Sequence, residues 1–213
     1  MAQRTLAENV ASMLLEVKAV RLNPDVPFKW ASGWNSPIYC DNRITLSYPK
    51  VRTAIKNGLA SAVQAYWSDV DMIAGVATAG IPQGALVADW LELPFCYVRP
   101  EPKKHGMGNQ IEGASIKPGQ KVVLVEDLVS TGGSSLKAVD ALREAGANVL
   151  GMVAIFTYGF EIAKKNFNNK DLNFYTLSDY ETLIGEAMKK KYISESQMIT
   201  LQEWRANPSE WRV

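Results

Sequence analysis

Two adjacent acids followed by hydroxyls and glycines, Glu126-Asp127-Leu128-Val129-Ser130-Thr131-Gly132-Gly133-Ser134-Ser135, form the stretch of this chain best suited to chemistry. A turn of this composition at the start of a helix presents free backbone N–H groups, which suit a phosphate monoester. Gly132 and Gly133 let the backbone come close to such a group. Thr131, Ser134 and Ser135 can add hydroxyl donors. The two carboxylates would repel phosphate, so they need another object, and ribose hydroxyls or a Mg²⁺ shell are the natural ones. Acids beside a phosphate cradle therefore point to a sugar phosphate. The plain alternative is a solvated strand-to-helix turn, which gives paired acids at a buried strand end no purpose. No GxxxxGK[ST] occurs in the sequence, which argues against a P-loop NTPase. Gly106-Met107-Gly108-Asn109-Gln110-Ile111 half-matches GxGxxG, but it neither follows a strand directly nor opens an evident helix.

The elements around these residues can be read from periodicity. Val122–Val125 reads as a buried strand leading into the acids, and Ser134–Ala145 as a helix with Gly146 just past its end. Upstream, Thr5 and Glu8 have capping-box spacing before a helical face of Leu6, Val10, Met13, Leu14 and Val17. Residues 28–46 read as a looping, short-stranded hairpin segment. Pro49 opens a helix carrying Val51, Ile55, Leu59, Ala62, Val63 and Tyr66 on one face. Met72–Val76 is a strand, Ala77–Pro82 a small-residue turn, Gln83–Leu91 a helix and Pro94–Val98 a strand. Residues 99–117 are nearly free of apolar side chains. Strands are expected at Val149–Phe156 and Leu172–Leu177, then two helices with capping-box spacing at Ser178…Glu181 and Ser194…Gln197. Strands alternating with helices imply a parallel sheet with helices on both faces. Ligands of such sheets bind at the carboxyl ends of the strands, so chemistry belongs in the loops after Val76, Val98, Val125 and Phe156.

Composition narrows the class. The 213 residues are 47% hydrophobic and 21% charged, with formal net charge +1, which argues against a dedicated nucleic-acid binder. Cys40 and Cys96 form no CxxC pair, so a reducing compartment is the simpler reading. The N-terminus leads into an amphipathic helix, not an apolar signal core, and no apolar run approaches the ~18 residues of a membrane span. A cytoplasmic protein without membrane or nucleic-acid partners is expected.

Residues 122–134 resemble the phosphoribosyl diphosphate (PRPP) motif of the type I phosphoribosyltransferases: four apolar residues, two acids and a Thr/Ser-Gly-rich turn. Phe28-Lys29-Trp30-Ala31-Ser32-Gly33-Trp34-Asn35-Ser36-Pro37-Ile38-Tyr39-Cys40-Asp41-Asn42-Arg43 resembles the hood of the orotate phosphoribosyltransferases within that group. Arg99-Pro100-Glu101-Pro102-Lys103-Lys104-His105-Gly106 resembles their catalytic lid, and Ala77–Pro82 their diphosphate loop. The resemblance spans residues 1–180, with the motifs in the same order.

It implies a type I phosphoribosyltransferase fold in a single domain, with a hood formed mainly by residues 1–46, a core over 47–177 and C-terminal helices over 178–213. It implies transfer of 5-phosphoribosyl from PRPP to orotate, with Mg²⁺ arriving on PRPP and Asp127 as a candidate ligand. PRPP would be held by Thr78, Ala79, Gly80, Arg99, Lys103, His105 and residues Glu126, Asp127, Leu128, Val129, Ser130, Thr131, Gly132, Gly133 and Ser134. Lys103, His105 and Asp127 would be catalytic, and Ser130, Tyr39 and Cys40 would meet orotate. The family's lid acts on the neighbouring subunit, so a homodimer whose residues 99–114 reach across is expected. Two departures stand out: Ala31 and Pro100 occupy positions where some members carry Lys, and Phe156-Thr157-Tyr158-Gly159 lacks an Arg that some place against the base carboxylate. A purine or uracil phosphoribosyltransferase and a non-catalytic PRPP-sensing regulator are the rival readings.

Overall fold

The computed structural model describes residues 4–30, 32–101 and 110–212. In chain order the elements are α1 (Leu6–Glu16), β1 (Val20–Leu22), β2 (Phe28–Lys29), β3 (Asn35–Ser36), β4 (Ile38–Cys40), a 3-10 helix (Asn42–Ser47) and α2 (Pro49–Tyr66). Then follow β5 (Met72–Val76), α3 (Gly80–Leu91), β6 (Phe95–Val98), β7 (Ile111–Gly113), β8 (Lys121–Val129) and α4 (Gly133–Glu144). The chain continues through β9 (Asn148–Thr157), α5 (Glu161–Asn168), β10 (Phe174–Asp179), α6 (Tyr180–Lys189) and α7 (Glu195–Ala206). They fall into two compact units, one of Thr53–Leu177 and one of Met1–Arg52 with Ser178–Val213.

The Thr53–Leu177 unit is built on a six-stranded sheet of order β10-β9-β8-β5-β6-β7. β5 pairs in parallel with β6 and β8, and β8 with β9, while β7 closes the edge antiparallel to β6. Central parallel strands are covered on both faces, and their sequences are correspondingly apolar throughout. Ala74 and Leu124 face a core shared with Leu136, Val139 and Leu142 of α4 and Ala163 and Phe167 of α5. Side chains alternate along a strand, so the fully buried Ile73, Val123 and Val125 point to the opposite face. There α3 packs on β5 and β8.

In the other unit α1 packs on α6. Thr5 and Glu8 close the capping box at the start of α1, and Ser194 and Gln197 close another at α7, as their spacing predicts. β1 pairs with β4 and β2 with β3, giving two small antiparallel ladders. Trp204 is fully buried, donates its indole N–H to the carbonyl of Asn35 at 3.1 Å, and meets Trp30 edge-on.

Four local expectations need correction. β8 runs four residues beyond Val125, because its ladder with β9 continues through Glu126↔Ala154, Leu128↔Phe156 and Val129↔Thr157. Strand pairing there overrides the break that two charges suggest. Helix α5 was not expected from the pattern, and β7 lies inside the stretch read as apolar-poor loop. The cap of α6 is Asp179, whose side chain accepts from Thr182 N at 2.9 Å; the Ser178 hydroxyl instead donates to the carbonyl of Ala7.

Candidate active site

β8 delivers Glu126 and Asp127 to the carboxyl end of the sheet as neighbours on opposite faces of the strand. Glu126 is 4% exposed. Its Oε1 accepts the Asp127 N–H at 2.9 Å and its Oε2 accepts the Ser135 hydroxyl at 3.1 Å. Burial pushes the Glu126 carboxyl well above the ordinary carboxylate range, and the adjacent Asp127 charge pushes it the same way. Asp127 is half-buried at the strand end. Ser135, which from sequence looks like a phosphate donor, is therefore buried and turned to the acid.

The turn after β8 is tied down from behind. The Val129 carbonyl accepts the Thr157 hydroxyl at 3.1 Å and the Tyr158 N–H at 3.2 Å, and the Thr131 carbonyl accepts Asn166 Nδ2 at 2.9 Å. Gly132 has φ +81°, and a Cβ there would stand 2.5 Å from the Phe167 ring. Only glycine satisfies both the backbone and the packing at that position. α4 starts at the next residue with no side-chain cap and no acid in its first turn. Its leading N–H groups are thus left for an anion, and the helix dipole adds in the same direction. Ser130 and Thr131 are half-buried, and Gly133 and Ser134 are exposed on this turn. Leu128 is half-buried, whereas Val129 sends its side chain fully into the core.

The loop after β5 is pressed onto the same strand end. A Cβ on Gly80 would lie 2.5 Å from the Val125 carbonyl and 3.3 Å from Glu126 Cα. The Ala77–Thr78 peptide is cis, Ala77 N donates to the Val98 carbonyl at 2.9 Å, and Thr78 is exposed. A cleft of about 360 Å³ opens between these segments, lined by Val76, Ala77, Arg99, Gly133, Ser134 and Lys137, among others. The structure thus gathers the ends of β5 and β6 and the start of α4 around one hollow. Lys137, a cation on the first turns of α4, escaped the sequence reading. Its place four residues after Gly133 on a helix that starts at the cradle is the signal that could have found it. Arg99, at the end of β6, pairs its backbone N–H with the Gln110 carbonyl, and its guanidinium meets Glu112 at 2.9 Å. Lys103 and His105 lie outside the described residues. A larger hollow of about 620 Å³ runs beside β7 and the far end of α4, lined by Gln110–Ile116, Ala141, Glu144 and Ala145. Of the predicted site residues none lines it.

Tyr39 and Cys40 belong to the other unit, on β4, both half-buried. Tyr39 stands across the ladder from Arg21, and its ring lies 5.7 Å from that of Phe28. In the loop after β9, Tyr158 is 2% exposed and packed between the rings of Phe156 and Phe160. Among the described residues no three His, Cys, Asp or Glu side chains cluster as a metal cage. Asp127, half-buried at the strand end, fits Mg²⁺ shared with substrate oxygens, since this ion is usually held by one or two carboxylates together with phosphates, whereas both oxygens of the buried Glu126 are already engaged.

Comparisons with known proteins agree with this geometry. The phosphoribosyl transferase domain family matches residues 45–189. The orotate phosphoribosyltransferase of Cytophaga hutchinsonii is 58% identical over 205 residues, covering 96% of this chain and 98% of that protein. That of Porphyromonas gingivalis is 54% identical over 210 residues, covering 99% and 100%. Among solved structures, the orotate phosphoribosyltransferase from Aeropyrum pernix superposes with a TM-score of 0.73 at 25% identity, over 87% of this chain and 99% of that one. Adjacent acids feeding an uncapped helix start, on this fold and at this identity over nearly the whole length, place the chain in the orotate phosphoribosyltransferase family.

Proposed function

We propose that the turn of residues 130–134 seats the 5-phosphate of PRPP, that Glu126 and Asp127 face its ribose hydroxyls, and that Thr78, Ala79 and Gly80 receive its diphosphate. The reaction is that of the family: the 5-phosphoribosyl group passes from PRPP to orotate, giving orotidine 5′-monophosphate and diphosphate on the route to UMP. The observation that carries the assignment of roles is the uncapped start of α4 directly after two acids at the strand end. A phosphate needs the first and a polyhydroxylated sugar needs the second.

The chemistry follows from these positions. The orotate ring nitrogen forms a bond to ribose C1 as the C1–oxygen bond breaks, and that electron pair leaves with diphosphate. Positive charge builds on the ribose ring, as in glycoside transfer. The half-buried Asp127 carboxylate stabilises that charge across the sugar, while the tethered turn keeps C1 in place. Lys103 and His105, with Arg99 at the lid's root, neutralise the departing diphosphate, each worth on the order of 2–4 kcal/mol by analogy with single oxyanion-hole donors. Mg²⁺, when bound with PRPP, supplies further neutralisation of its phosphate oxygens, and Asp127 is the carboxylate that would hold it. Ser130, Tyr39 and Cys40 present the base. The working form is a cytoplasmic homodimer in which residues 99–114 of one subunit close over the other.

Purified chain incubated with PRPP, orotate and Mg²⁺ is expected to consume orotate and release diphosphate in equal amounts. Chelation of Mg²⁺ abolishes this, and uracil or adenine does not replace orotate. Undiminished turnover after chelation would refute the metal assignment, and turnover of uracil or adenine would refute the base assignment.

A further inference from the structure

Orotate differs from uracil by one carboxylate on a flat ring. A planar guanidinium is the side chain best matched to that group, because its forked N–H donors meet both oxygens. Tyr39 and Cys40 bring no positive charge to oppose that carboxylate. The segment Phe156-Thr157-Tyr158-Gly159 carries no cation, and its Tyr158 is buried among aromatic rings.

On β1, Arg21 stands directly across the ladder from Tyr39. Its guanidinium carbon lies 5.0 Å from the centroid of the Tyr39 ring and 5.4 Å from that of Phe28. Two aromatic faces therefore hold the cation, leaving the edge of the guanidinium, where its donors are, to meet an anion. Arg21 is exposed, and among the described residues it makes no salt bridge. The acid close by, Asp41, is engaged instead by Arg43, at 2.7 Å and 2.9 Å through two guanidinium nitrogens. Arg21 adds only a through-space attraction to Asp41, behind the hydrogen-bonded Arg43, so its donors stay oriented in advance and little ordering remains to be done on binding an anion.

We propose that Arg21 is the specificity-determining residue that receives the carboxylate of the pyrimidine substrate. The proposal rests on the assignment of the base to Tyr39 and Cys40. It accounts for selection of an anionic base by a chain with Ala31 where some members carry Lys and no Arg in Phe156-Thr157-Tyr158-Gly159.

The test uses two nucleotides that differ only in the carboxylate, orotidine 5′-monophosphate and uridine 5′-monophosphate. Their affinities are measured by titration calorimetry on the full chain and on Arg21→Met and Arg21→Lys. The wild-type chain is expected to prefer orotidine 5′-monophosphate. In Arg21→Met that preference shrinks by about 10- to 100-fold, the loss of a charged hydrogen-bonded pair, while uridine 5′-monophosphate binds as before. Arg21→Lys recovers part of the preference. An unchanged ratio in Arg21→Met overturns the proposal. So does equal weakening of both nucleotides, which would leave Arg21 the task of packing the two rings. Should Arg21→Met not fold, Arg21→Lys carries the test, and an undiminished ratio there is the contrary result. A wild-type chain without preference would overturn the base assignment itself.

Discussion

Glu126 turns its carboxylate inward, where the Asp127 N–H and the Ser135 hydroxyl take its two oxygens, while Asp127 stays half-exposed at the end of the same strand. Asp127 is the more exposed of the two acids and the one proposed to act on the reacting ribose, so Asp127→Asn is expected to lower kcat by about 10²-fold or more while the fold is kept. Near-wild-type turnover would remove Asp127 from the site. Glu126 instead makes a prediction about stability. Its folded-state pKa is raised above the value of 4.5 for a free glutamate, so the folded protein binds its proton more tightly than the unfolded one. Its favourable contribution is complete below about pH 4.5 and is lost as pH rises through the raised value. Urea unfolding of ligand-free Glu126→Gln across this range should show less loss of stability with rising pH than the wild-type chain shows. An identical slope would contradict the account. At this scale the sequence was legible for residue types and less so for roles. Two acids and three hydroxyls announce a sugar-phosphate site, but which hydroxyl serves the acid and which the ligand depends on burial, as Ser135 illustrates.

The elements explain why the cradle holds its shape. β9 lengthens β8 past the acids, and α5 supplies Asn166 to the Thr131 carbonyl and Phe167 to the face of Gly132. Gly132→Ala is therefore expected to destabilise the protein by about 1–3 kcal/mol through its positive φ, with the clash against Phe167 adding to it. It should also raise the KM for PRPP. Unfolding curves and PRPP titrations check this, and unchanged values for both would show that the turn tolerates another backbone path. The buried strands and the long helices were legible because their apolar periods are strong. α5 was not, since only Ala163 and Phe167 of its eight residues are buried. The extension of β8 was hidden for a different reason: it depends on a partner strand about thirty residues away in sequence, and no local pattern encodes that pairing.

Across the whole molecule, the C-terminal helices α6 and α7 group with the N-terminal segment rather than with the sheet. Lys189 of α6 bonds both Glu186 and Glu8, Lys190 pairs with Glu16, and Arg205 of α7 pairs with Glu181. That grouping joins residues more than 170 positions apart, so periodicity could describe the helices without saying where they belong. A lid acting across subunits makes its own prediction. Lys103→Ala and Asp127→Asn place their defects in different subunits of a shared site, so an exchanged equal mixture of two inactive variants should recover roughly a quarter of wild-type activity, the yield of one intact site in half of the dimers. No recovery despite proven exchange would mean that the lid serves its own chain. The claim on which everything else stands is that the strand-end turn seats the 5-phosphate. A crystal structure of the chain with PRPP and Mg²⁺ tests it most directly. The account predicts the 5-phosphate within about 3 Å of the backbone nitrogens between Thr131 and Ser134, with the ribose hydroxyls toward Glu126 and Asp127. A 5-phosphate seated elsewhere, in the hollow beside β7 for instance, would contradict it.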